Sequence, residues 1–95
     1  MVVRLKVRHA ARTDANQAEI LKALRDIGVR AEYIKLPLDL LVCHRGETFL
    51  VEVKMPGESL NKAQVEFIAS WPGRIEVVHT PEEAVAAVVG KEAMK

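Results

Sequence analysis

Apolar residues recur at helical spacing early in the chain: Ile20, Leu24 and Ile27, widened by Leu21, form one stripe, with Lys22, Arg25 and Asp26 turned to water. Asp14 with Gln17, and in a second register Asn16 with Glu19, have capping-box spacing. They predict a helix that begins near Thr13 or Asp14, with Gly28 as its stop. From Val29 the pattern changes. Val29, Ala31, Tyr33, Ile34 and Leu36 predict a strand that ends at Pro37. Leu38 to Cys43 and Thr48 to Lys54 alternate with period two on either side of Arg45-Gly46, which is a hairpin signal. Met55-Pro56-Gly57 cannot continue a central strand. A second helix is predicted from Asn61, capped by Gln64 and carrying Val65, Phe67, Ile68 and Trp71, until Pro72-Gly73 stops it. Arg74 to Val78 reads as a fourth strand. Thr80-Pro81-Glu82-Glu83 then starts a last helix that stops at Gly90, before a polar tail from Lys91 to Lys95.

The order α-β-β-β-α-β-α places a hairpin in the middle and a crossover helix between the third and fourth strands. It predicts an α/β (α+β) domain with a mixed sheet flanked by helices. Ninety-five residues, 49% hydrophobic and 28% charged, allow one soluble domain with a modest core. No apolar run approaches a membrane span and the amino terminus lacks an apolar signal core, so a cytosolic protein is expected. The single Cys43 cannot pair within the chain, and no Cys or His set suits zinc.

The net charge of +1 conceals an asymmetry: residues 1–12 hold Arg4, Lys6, Arg8 and Arg12 and no acid. This segment is a basic arm for phosphates, a solvated short strand or a tail, and Val2, Val3, Leu5 and Val7 leave the strand open.

The chemistry concentrates between Pro37 and Lys54. Glu52 and Lys54 share one strand face, and the hairpin brings Asp39 opposite them, so two carboxylates and an ammonium converge at one sheet end. Two hard carboxylate oxygens can hold Mg²⁺ or Mn²⁺ and leave positions for water and a phosphate oxygen. The lysine can orient that water or stabilise charge on the phosphate. The competing reading of the E-x-K strand is a solvated amphipathic face, but the apolar neighbours make unpaired charge costly there. On residue grounds alone Glu19 borders the helix stripe as a surface residue, Gln64 is a cap, and Trp71 belongs to the core rather than to a base stack.

The pattern P-L-D, twelve residues, E-V-K after an amphipathic helix resembles the PD-(D/E)XK nuclease superfamily. The segments DANQAEILKALRDIG, LDLLV, FLVEVK, SLNKAQVEF and the W-x-G before a strand and PEEA are similar to its small stand-alone VRR-NUC and Holliday-junction-resolvase-like members, found in phage and bacteria. The match covers roughly residues 13–89, within a domain taken as 13–90. The resemblance implies a restriction-endonuclease-like α-β-β-β-α-β core with an added C-terminal helix. It further implies a Mg²⁺- or Mn²⁺-dependent DNA endonuclease, directed to branched or four-way-junction DNA, in the cytoplasm of a bacterial or phage-infected cell. Asp39, Glu52, the Val53 carbonyl and Glu19 would serve the metal, Lys54 would assist the attacking water, and Gln64 would match the family's glutamine. DNA contacts are expected from Arg4, Lys6, Arg8, Arg12 and Lys62. Small size and the resemblance both point to a homodimer. The alternatives are a nucleic-acid-binding module of the same fold without turnover, and a structural domain whose charges form a buried salt-bridge network.

Overall fold

The computed structural model describes residues 3–93, with side chains described over 15–90. The elements are α1 (Val3–Asp26), β1 (Arg30–Tyr33), β2 (Leu40–His44), β3 (Glu47–Val53), α2 (Lys62–Ser70), β4 (Ile75–Val78) and α3 (Pro81–Ala93). The sheet runs β1-β2-β3-β4. Its first two pairings are antiparallel and the third, across the α2 crossover, is parallel. The α+β class, the mixed sheet and the element order are those read from the pattern. No helix among the described residues is long and apolar enough to cross a membrane.

One sheet face carries the core. Ala31, Leu40, Val42, Phe49, Val51, Val53 and Val78 meet Ile20, Leu21 and Leu24 from α1 and Ala84 and Val88 from α3. The period-two alternation puts Leu41, Cys43, Leu50 and Glu52 on the other face, where Leu41 is exposed while Leu50 and Glu52 are buried. α2 buries none of its residues.

Local chemistry explains the joints. Gly28 ends α1 at φ +87°, with its N–H donating to Arg25 O and the Val29 N–H to Leu24 O, the paired bonds of a Schellman stop that an L side chain would strain. Arg45 and Gly46 both have positive φ, 53° and 83°, as a two-residue type I′ hairpin demands. The Asn61–Gln64 capping box forms in both directions, at 2.8 and 3.0 Å. Thr80 Oγ accepts from the Glu83 N–H, so the α3 cap forms as read.

Three boundaries and one burial differ from the sequence reading. α1 begins at Val3, ten residues before the predicted start. The expected arm or short strand over residues 1–12 is therefore helical from Val3. No Gly or Pro stands between Val3 and Asp26, so a helix that is nucleated there propagates past the Asp14 cap signal. The side chains of Arg4, Lys6, Arg8 and Arg12 lie outside the described residues. β1 stops at Tyr33 rather than Leu36 because Lys35 is left-handed, φ 69°, and both Ile34 N–H and Lys35 N–H turn to Asp39 O. α3 continues through Gly90 to Ala93. A glycine costs a helix about 1 kcal/mol relative to alanine, and nothing after it breaks the run. Trp71, expected in the core, is exposed, because α2 stands off the sheet.

Candidate active site

The register places the site. Leu40 pairs with Val51, so the chain position before Leu40 lies opposite the one after Val51, and Asp39 faces Glu52 across the end of the hairpin. Asp39 Oδ2 accepts the Val53 N–H at 2.8 Å, which draws the expected Val53 peptide against the carboxylate. Lys54, one residue past the strand, is held through its backbone. Its N–H donates to Val78 O at 2.9 Å, and its carbonyl accepts Asn16 Nδ2 at 3.3 Å. The same amide also reaches His79 O, so α1 stitches the ends of β3 and β4 together.

Glu52 is 3% exposed and is gripped from both sides. Gln64 Nε2 donates to its Oε2 at 2.6 Å from the first turn of α2, and Lys54 Nζ stands 3.7 Å from the same oxygen. The residue that caps α2 thus also reaches the carboxylate. Its main-chain N–H and side-chain oxygen serve the cap, which leaves its NH₂ for Glu52.

The electrostatics are those of a crowded carboxyl pair. Burial raises Glu52 to about 7, with the negative charge of Asp39 adding to the rise and Lys54 opposing it. Burial also raises Asp39, against the Val53 N–H, which favours its charged form. The two carboxyls influence each other's titration, and the charge of Asp39 together with burial favours a protonated Glu52.

Gln17 is the residue the sequence reading missed. It is buried at 6% exposure, and its side chain bonds the Asp39 carboxyl from α1. Its spacing from Asp14 marked it as a cap partner, but in a helix that starts at Val3 it is an interior position facing the sheet end. Glu19, the acid expected there, is exposed and lies roughly 200° round the helix from Gln17. The structure therefore does not bring it to the pair. Among the described residues no three His, Cys, Asp or Glu side chains group as a metal set, so Asp39 and Glu52 are the acidic donors available. Lys62 is exposed in the first turn of α2.

A cleft of about 470 Å³ opens onto the pair, with Lys35, Leu36 and Pro37 on one wall and Ala63, Gln64 and Phe67 of α2 on the other. Compared with known proteins, the chain matches no family model, no curated protein and no solved structure.

Proposed function

We propose that the protein is a divalent-cation-dependent nuclease that hydrolyses phosphodiester bonds in DNA, in the cytoplasm of a bacterial or phage-infected cell. The observation that carries this reading is the buried Glu52 carboxyl paired with the half-buried Asp39 in an open cleft, with Lys54 beside them. A proton held on the crowded carboxyl pair is what a cation would displace, and two hard oxygens suit Mg²⁺ or Mn²⁺. The cation, when bound by Asp39 and Glu52, supplies charge stabilisation at a phosphate oxygen and a water of lowered pKa. Gln64 and Gln17 hold the two carboxyls in place by hydrogen bonds to them. Lys54, with its backbone fixed at both ends of its peptide, presents an ammonium to the attacking water or to the developing charge. The resemblance to PD-(D/E)XK nucleases implies the roles of Asp39, Glu52, Lys54 and Gln64; it does not give that of Gln17, and the Glu19 it implies lies away from the pair.

The test is cleavage of end-labelled duplex, flap, single-stranded and four-way-junction DNA with Mg²⁺ or Mn²⁺. The reading expects cleavage that EDTA abolishes and that Asp39→Asn and Lys54→Ala lose. DNA binding without cleavage of any substrate would leave a binding module in its place.

A further inference from the structure

The cleft has an aromatic wall that the chemistry of hydrolysis does not use. Phe67 lines it, and Trp71 stacks on Phe67 with ring centroids 5.2 Å apart and planes inclined by 26°. Trp71 is 43% exposed. Its position is nonetheless built: a Cβ on Gly73 would stand 2.8 Å from the indole Nε1, so the bare glycine backbone makes the seat for the ring edge. The Trp71 N–H closes the helix on Phe67 O at 3.0 Å, which fixes the backbone beneath both rings.

Gln64, Phe67 and Trp71 follow one another at three- and four-residue spacing along one face of α2. The first of them touches Glu52. At 1.5 Å per residue, Phe67 is about 4.5 Å and Trp71 roughly 10 Å along the axis from the residue at the carboxyl pair. Leu36, 70% exposed, and Pro37 also line the cleft. One cation lines it, Lys35, while Lys62 lies roughly 200° round α2 from Gln64 and faces away from the cleft.

A continuous duplex offers phosphates and groove edges, with its base faces hidden in the stack. A nucleotide that is out of the stack offers a π-face, and aromatic side chains beside a cationic track are the general means of holding one. We propose that the Phe67–Trp71 stack is a platform for an unpaired nucleobase next to the scissile phosphate. The substrate class is then a single strand, a flap or a fork rather than uninterrupted duplex. This rests on the nucleolytic reading of the same cleft. Lys35 contacts a flanking phosphate, and Leu36 adds apolar surface for the base in the same cleft.

Trp71 is the single tryptophan of the chain, so its emission reports on the platform without labelling. The probes are a 12-nucleotide oligothymidylate and a blunt hairpin duplex of equal length, titrated in EDTA so that nothing is cut. The oligothymidylate is expected to quench the emission and the duplex to leave it unchanged. By fluorescence anisotropy of labelled DNA, Trp71→Ala should weaken oligothymidylate binding roughly 5- to 150-fold, the equivalent of the ~1–3 kcal/mol of one base–aromatic stack. Its duplex binding should stay within about twofold on the same scale, and Trp71→Phe should recover most of the loss. Saturating single-strand binding with unchanged emission would overturn the proposal, as would an equal loss on duplex and single strand. An emission shift that follows protein concentration without DNA would assign the ring to a contact between chains and overturn it too. Cleavage by Trp71→Ala with an undiminished preference for single strand would remove the platform and leave the nuclease. Quenching by the single strand without Mg²⁺-dependent cleavage would do the reverse.

Discussion

Replacing Glu52 by glutamine should make the cation-free protein more stable at pH 8 and change it little at pH 5. In the folded chain the group titrates at about 7 against an ordinary value of 4.5. Between those two values the folded state holds a proton that the unfolded chain has released, so stability falls as pH rises through this window and is flat above it. At 1.36 kcal/mol per pH unit the difference amounts to roughly 3 kcal/mol. The rise at Asp39 acts in the same direction and shares the same proton, so the two do not add in full. Glutamine removes the charge and keeps an oxygen for the Gln64 amide. We expect a gain of about 2 kcal/mol at pH 8, equivalent to roughly 10 °C in Tm for a domain of this size. Urea or thermal unfolding in EDTA from pH 5 to pH 8, wild type beside Glu52→Gln, measures it. A Glu52→Gln protein that is less stable at pH 8, or a difference that does not grow with pH, would refute the crowded pair.

Other outcomes follow from the same geometry. Lys54→Ala should lower cleavage at least about 100-fold, in the range of a lost general acid–base or electrostatic group, while cation affinity changes only a few-fold. An equal loss of affinity in Lys54→Ala and Glu52→Ala would remove that assignment. Gln17→Ala should leave Asp39 without one of its donors and cost about 1–2 kcal/mol of stability, which urea unfolding would read, whereas Glu19→Ala on the exposed side of α1 should cost less than about 0.5 kcal/mol. Changing Arg4, Lys6, Arg8 and Arg12 to glutamine should flatten the salt dependence of DNA binding, and an unchanged slope would show that these residues neutralise no phosphates. The twofold dimer proposed from size should appear in light scattering of the protein alone or with forked DNA; a monomer that still cuts paired strands would contradict it.

The sheet end was legible because it depends on short-range rules. Alternation fixes which side chains share a face, and Arg45-Gly46 fixes the hairpin register, so the facing of Asp39 and Glu52 follows from sequence. The Asn61–Gln64 box was readable for the same reason, although its second use, an amide spared for Glu52, depends on where α2 stands over the sheet. The failures come from signals with more than one physical meaning. Asp14 and Gln17 have the spacing of a cap, but a helix that is already formed passes through them, and Gln17 becomes an interior side chain bonded to Asp39. Gly90 can end a helix or merely weaken one. An apolar stripe on α2 predicts burial, yet no periodicity tells whether a helix is seated on the sheet or held off it by a polar contact, and Trp71 is exposed for that reason.

Calorimetric titration of Mn²⁺ into the protein, near pH 6.5 and in two buffers of different ionisation enthalpy, tests most directly whether the Asp39–Glu52 pair exchanges a proton for a cation. The expected result is saturable binding at one site per chain with release of close to one proton, lost in Asp39→Asn and in Glu52→Gln. Binding that persists in both variants, or that releases no proton, would contradict it.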